Sequence, residues 1–374
     1  MRILVWSDAF WPYIGGTEVL VTHLVSALRE RGYTVTVVTS HRRPDGFDEA
    51  HYRGIPVYRF PFLGALTDAS VDRLAEIRQR VGQLKRDFAP DLVHLQMTPI
   101  SFSAFFHLVT EDIHPAPLLA TFHMTADDIA VRDDTLLWHT LRNAAYVTAN
   151  SEAVLGETRR LAPEITPYSR VIYNGLPVPS LPLEPLPNGT PRVLCLGRVN
   201  HGKGFDLALT ALASLLDRFP DLHMVIAGDG PARPELERQA VELGLAGRVE
   251  FVGWVTPERV PALLNTATVV VMPSRREGFG LVALQAALMA RPVVATRVGG
   301  LPEVVLHQQT GLLVERDDSH GLAEAIASLL ARPAVATRMG QAARQRAQEV
   351  FSWKGCVDAY DRLYRQLIKE SAQC

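Results

Sequence analysis

Nowhere in the 374 residues does an apolar run approach the roughly 20 that a helix needs to cross a bilayer. The opening Met1-Arg2-Ile3-Leu4-Val5-Trp6-Ser7 is interrupted by Asp8 before it reaches the length of a signal peptide's apolar stretch. Cysteine is scarce: Cys195, Cys356 and Cys374 are odd in number and far apart, with no pair at metal-ligand spacing, which argues against a disulfide framework or a zinc module and fits a reducing compartment. An excess of positive charge is also missing. The formal net charge of -2 gives no general field for nucleic acid, so recognition of phosphate has to come from a few local residues. These absences predict a cytoplasmic chain, at most peripheral at the cytoplasmic membrane face.

What is present is the composition of a soluble globular protein, 47% hydrophobic and 21% charged, at a length for which two domains are the natural expectation. Short β-branched runs alternate with helical periodicity, the pattern of parallel strands covered on both faces. The first half predicts strands at Ile3 to Trp6, Val35 to Thr39, Val57 to Phe60, Leu92 to Leu95, Leu118 to Phe122 and Tyr146 to Ala149. Between the first two, Leu20, Leu24 and Leu28 recur at helical spacing and Gly32 supplies a stop. The stretch from Gly175 to Arg192 holds six prolines and no periodicity and reads as a linker. The pattern restarts at Val193 to Leu196, Met224 to Ala227, Val249 to Val252, Val269 to Met272, Val293 to Ala295 and Gly311 to Val314, and a terminal amphipathic helix follows from about Trp353. Two Rossmann-like, doubly wound α/β domains facing across a cleft are expected, with ligands beyond the carboxyl ends of the strands.

Motifs fall in the loops where that rule puts them. Gly15-Gly16 precedes the first helix, where absent side chains allow close backbone approach, although a plain flexible turn has the same composition and no G-x-G-x-x-G is present. The loop Gly197-Arg198-Val199-Asn200-His201-Gly202-Lys203-Gly204 nearly matches a P-loop but carries Gly204 where a hydroxyl would hold Mg²⁺, which argues against a P-loop NTPase. Arg198 and Lys203 flank that turn beside a helix N-terminus and form a candidate diphosphate clamp.

The most informative segment runs Pro273-Ser274-Arg275-Arg276-Glu277-Gly278-Phe279-Gly280-Leu281-Val282-Ala283-Leu284-Gln285-Ala286, followed by Arg291-Pro292 and Gly299-Gly300-Leu301-Pro302-Glu303. It resembles the donor-site signature of glycosyltransferase family 4, retaining enzymes of the GT-B fold. Gly15-Gly16, the Gly197 to Gly204 loop, Ala227-Gly228-Asp229-Gly230-Pro231, Phe251-Val252-Gly253 and Phe351-Ser352-Trp353 fall in that family's order, so the resemblance spans the chain. It implies an acceptor-binding domain at 1–176 completed by the helix 354–374, a linker at 177–191 and a nucleotide-sugar-binding domain at 192–353.

The resemblance also implies roles. Glu277 lies against the donor sugar, the backbone of Gly278, Phe279, Gly280, Leu281 and Val282 caps the diphosphate and sugar hydroxyls, and His123 reaches sugar and phosphate. A carboxylate accepting from sugar hydroxyls and a helix start donating to phosphate suit those tasks. Trp254 either borders the nucleobase or packs in the ordinary way. Where the family commonly has a second glutamate for the ribose hydroxyls this chain has Gln285, a change worth about 1 kcal/mol of nucleotide binding. No Asp-x-Asp metal clamp occurs, so no essential metal or other cofactor is expected. Front-face transfer from a UDP- or GDP-linked hexose to a sugar, lipid-linked or small-molecule acceptor is implied. A nucleotide-sugar epimerase, a phosphorylase or an inactive sugar-nucleotide binding module remain as alternatives. Finally, Val71, Leu74, Ile77, Val81, Leu84 and Phe88 make an apolar stripe among Arg73, Arg78, Arg80, Lys85 and Arg86, which predicts either a buried helix with a solvated face or peripheral contact of the 71–88 helix with anionic membrane.

Overall fold

The computed structural model describes residues 1–13, 15–41, 46–68, 70–98, 101–124 and 135–373. It divides into two compact units, Met1–Tyr173 with Cys356–Cys374, and Asn174–Gly355. Among the described residues no helix is long and apolar enough to cross a membrane. Cys195 and Cys356 are buried in different units, and Cys374 lies outside the described residues.

Unit 1 is built on β1 (Arg2–Ser7), β2 (Thr34–Ser40), β3 (Asp48–Tyr52), β4 (Ile55–Phe60), β5 (Leu92–Met97), β6 (Leu118–Phe122), β7 (Tyr146–Ala149) and β8 (Ser169–Val171). They form one sheet in the order β3-β4-β2-β1-β5-β6-β7-β8. Six of these are the predicted strands. The sheet is not wholly parallel, because β3 pairs antiparallel with β4 through a turn in which Arg53 (φ 49°) and Gly54 (φ 77°) are both left-handed. Asp48-Glu49-Ala50-His51-Tyr52 has no apolar run to betray a strand, since an edge strand needs little burial, and β8 is only three residues long.

The helix Val71–Phe88 takes the first of its two expected forms, a buried helix with a solvated face, and the apolar stripe is not turned to a membrane. Ile77 and Val81 are fully buried in the unit 1 core, and Leu74, Leu84 and Phe88 pack against it, so the stripe from Leu74 onward faces the core while Val71 is exposed. Lys85, counted above among its surface cations, is also buried and donates to the carbonyls of Thr110 (2.8 Å) and His107 (3.3 Å). The terminal helix Trp353–Ser371 buries Cys356, Val357, Tyr360, Leu363, Tyr364 and Leu367, and from Cys356 onward belongs to unit 1.

Unit 2 contains β9 (Arg192–Leu196), β10 (His223–Ala227), β11 (Val249–Gly253), β12 (Val269–Met272), β13 (Val293–Thr296) and β14 (Gly311–Val314), all in parallel pairs, in the order β11-β10-β9-β12-β13-β14. Direction of winding reverses between β9 and β12, so the loops leaving these neighbours lie at the switch point, where open parallel sheets bind their ligands. The proline-rich stretch is fastened to this unit. The Arg291 guanidinium, itself buried, donates to the carbonyls of Glu184 and Pro185, and Asn265 donates to the carbonyl of Pro182 at 2.9 Å.

Candidate functional site

The two loops leaving the switch point of unit 2 are the two that the sequence singled out. After β9 the chain passes Gly197 and Arg198, makes a 3-10 turn over His201–Lys203, and enters the helix Phe205–Leu215. After β12 it passes Pro273 to Gly280 and enters the helix Leu281–Leu288, whose first amides lack intrahelical acceptors.

Direct contacts knit these loops together. The Arg275 amide donates to the Gly202 carbonyl (2.8 Å), and its guanidinium grips both oxygens of Asp206 (2.8 and 2.7 Å), Asp317 (2.7 Å) and the His201 carbonyl (3.0 Å). Through these bonds Asp206 is held below the usual carboxylate range and Arg275 above the usual guanidinium range, although burial opposes both shifts. Gly204 has φ 65°, and a Cβ there would overlap the Pro273 carbonyl, so the position that a P-loop gives to Ser or Thr is here a point of close loop packing.

The result is a salt bridge between Lys203 Nζ and Glu277 Oε2 at 2.6 Å, with both side chains mostly covered. Gly299 (φ 49°) lets the following loop pass against the Glu277 carbonyl, which accepts from the Gly300 amide at 3.3 Å. Arg198 is exposed on the same loop as Lys203. Gly278, Phe279 and Gly280 are buried, and the Phe279 ring packs edge-on to Phe351, so only its backbone is available to a ligand. Leu281, Val282 and Gln285 follow half-buried on the helix, with Gln285 one turn along. Trp254 comes directly after β11 and is 46% exposed.

His123 and Gly15-Gly16 belong to unit 1. His123 follows β6, is buried, and contacts Gln96 Oε1 through Nε2 at 2.6 Å; burial lowers its pKa to about 4. Gly15 caps the first helix, Gly16–Glu30, and the Glu18 side chain folds over it, so an anion approaching that turn meets a carboxylate. Glu18, Gln96 and Arg275 are the neighbours that sequence reasoning missed. Arg275 sits inside the recognised motif, but no spacing rule says that it points at Asp206.

Two Rossmann-like domains, with these loops at the switch point of the second, define a glycosyltransferase of the GT-B fold. Residues 183–346 match the family described as glycosyl transferases group 1 and residues 14–178 match Glycosyltransferase Family 4. The chain is 30% identical over 398 residues to a glycogen synthase of Mycobacterium tuberculosis, covering 97% of this chain and 94% of that one. Among solved structures, it is similar to a sucrose-phosphate synthase from Thermosynechococcus elongatus (27% identity, TM-score 0.84, 99% of both chains). It shares its fold with Anabaena HepE in complex with UDP and glucose (23% identity, TM-score 0.79, 98% of this chain and 100% of that one). The chain belongs to glycosyltransferase family 4 and is a sugar-transferring enzyme.

Proposed function

We propose that the chain moves a hexose-type sugar, with retention at the anomeric carbon, from a UDP- or GDP-linked donor to a hydroxyl acceptor, and that no metal ion takes part. The observation carrying this reading is the Lys203–Glu277 pair at the switch point of unit 2, its loop tied to the β9 loop by Arg275. HepE, which shares the fold, was solved with UDP and glucose, and this supports a nucleotide-sugar donor.

On this reading Lys203 and Arg198 face the diphosphate, the amides at the start of Leu281–Leu288 cap it, and Gln285 meets the ribose. Trp254 borders the base. Lys203 engages Glu277 Oε2, and Oε1 accepts from a sugar hydroxyl. Unit 1 takes the acceptor, a sugar, a lipid-linked sugar or a small molecule, with the backbone at Gly15-Gly16 in close approach and His123 in contact with substrate.

In the reacting complex the bond from the anomeric carbon to the diphosphate oxygen breaks, and its electron pair stays on that oxygen. The acceptor hydroxyl attacks from the same face, and the departing phosphate oxygen takes its proton. Preorganised cations and amides, already placed where the charge develops, lower the barrier. Glu277→Ala is expected to reduce kcat by about 10²- to 10³-fold, and EDTA to leave the rate unchanged; loss of activity in EDTA would overturn the metal-free mechanism. NMR of the product made with and without acceptor checks the rest: a retained anomer formed only with acceptor supports transfer, whereas an epimerised donor or a sugar phosphate contradicts it.

A further inference from the structure

We propose that Gln96, its amide N–H groups against the face of His94, is the positioning residue of His123, holding its imidazole with the proton on Nε2 so that Nδ1 accepts from a hydroxyl of the substrate. This rests on the substrate contact given to His123 above. A continuous side-chain path crosses unit 1 from the end of β6 to the terminal helix. The Gln96 amide oxygen lies 2.6 Å from His123 Nε2, and the amide nitrogen lies over the His94 ring, 2.8 Å from Nε2 and 3.2 Å from Nδ1. His94 Nδ1 in turn lies 2.6 Å from the Tyr364 hydroxyl.

The amide so placed turns its N–H groups to the π face of His94, where a carbonyl oxygen would be repelled, and its oxygen to His123, so His123 Nε2–H donates to the Gln96 oxygen. His94, Gln96 and Tyr364 are all buried, so no solvent competes for these bonds. Thr121 Oγ1 also touches His94 Nε2, at 2.7 Å, and shares a hydrogen with Thr148 at 2.6 Å.

The consequence falls on the other nitrogen of His123. Nδ1 is buried and has no hydrogen-bond partner among the described residues, a condition that native structures seldom leave without a purpose. Burial keeps both imidazoles neutral at pH 7, with pKa values of about 4 for His123 and about 3 for His94. A neutral ring protonated on Nε2 has only a lone pair at Nδ1. It therefore takes a hydroxyl, a donor, and not a phosphate oxygen, which can only accept.

The test combines ¹⁵N imidazole spectra of histidine-labelled protein at pH 7, assigned by difference against His123→Ala, with kinetics of Gln96→Leu and Gln96→Glu. The expected wild-type spectrum has His123 protonated on Nε2. Gln96→Leu is expected to release that tautomer and lower kcat/KM about tenfold, roughly one charge-free hydrogen bond in a dry setting. Gln96→Glu, which keeps the acceptor for His123 and loses only the N–H groups that face the His94 ring, is expected to recover most of the rate, an effect that a mere filler of space would not give. A wild-type ring protonated on Nδ1, with His123→Ala inactive, overturns the proposal alone, and that spectrum decides even where Gln96→Leu fails to fold. Full activity in His123→Ala overturns instead the substrate contact on which the proposal rests.

Discussion

Lys85 holds a buried positive charge in unit 1. Its ammonium has carbonyl acceptors and, among the described residues, no carboxylate in contact, and burial lowers its pKa to about 8. Above the unfolded value of about 10.5 the group is neutral in both states. As pH falls from there to about 8, the unfolded chain takes up a proton that the folded chain refuses, so stability falls; below about 8 both states are charged and the loss is constant. Urea unfolding from pH 7 to 10 is expected to show stability rising by up to about 3 kcal/mol in the wild type, and markedly less in Lys85→Met. Equal slopes in the two proteins would contradict this. At the same scale the sequence was most legible where a motif carries the residue: Lys203 stood out through a near P-loop spacing and Glu277 through the resemblance to a family signature, before any contact was known. It was least legible for partners such as Gln96 and Arg275, whose importance depends on which distant atom each one meets.

At the scale of elements, the strands of both sheets were readable because buried parallel strands must be apolar throughout. The exceptions were β3, where an edge position and a left-handed turn permit a polar sequence, and β8, only three residues long. The helix Val71–Phe88 could be recognised as amphipathic, but amphipathicity does not say whether a sheet or a lipid covers the apolar side, and here the sheet does. The β9 loop makes a sharper case. Gly204 first reads as a defect in a P-loop, whereas its φ of 65° and its closeness to the Pro273 carbonyl make it the hinge that lets two loops share Lys203 and Glu277. Gly204→Ser, which restores the P-loop consensus, is expected to cost about 2–4 kcal/mol through strain and overpacking. Denaturation with the variant would contradict this assignment if the midpoint stayed at its wild-type value or if nucleotide hydrolysis appeared.

For the molecule as a whole, the terminal helix binds the two ends of the sequence into unit 1. Arg31 pairs with Asp358 and the Tyr33 hydroxyl donates to Asp361, both at 2.5 Å, while Tyr364 and Leu363 are fully buried. With six apolar side chains buried at about 1.5–3 kcal/mol each, the helix contributes on the order of 10 kcal/mol, comparable with the whole stability of a domain. Removal of residues 353–374 is therefore expected to abolish the cooperative melt of unit 1 in circular dichroism; a truncated chain melting as the wild type does would refute that role. The central claim concerns unit 2, and a thermal-shift panel of UDP, GDP, ADP and dTDP against wild type and Lys203→Ala tests it most directly. At 100 Kd a bound diphosphate stabilises by about 2.7 kcal/mol. The account predicts that at least one of the four raises the wild-type midpoint and that Lys203→Ala loses most of the shift; no shift with any of them, or the same shift in both proteins, would contradict it.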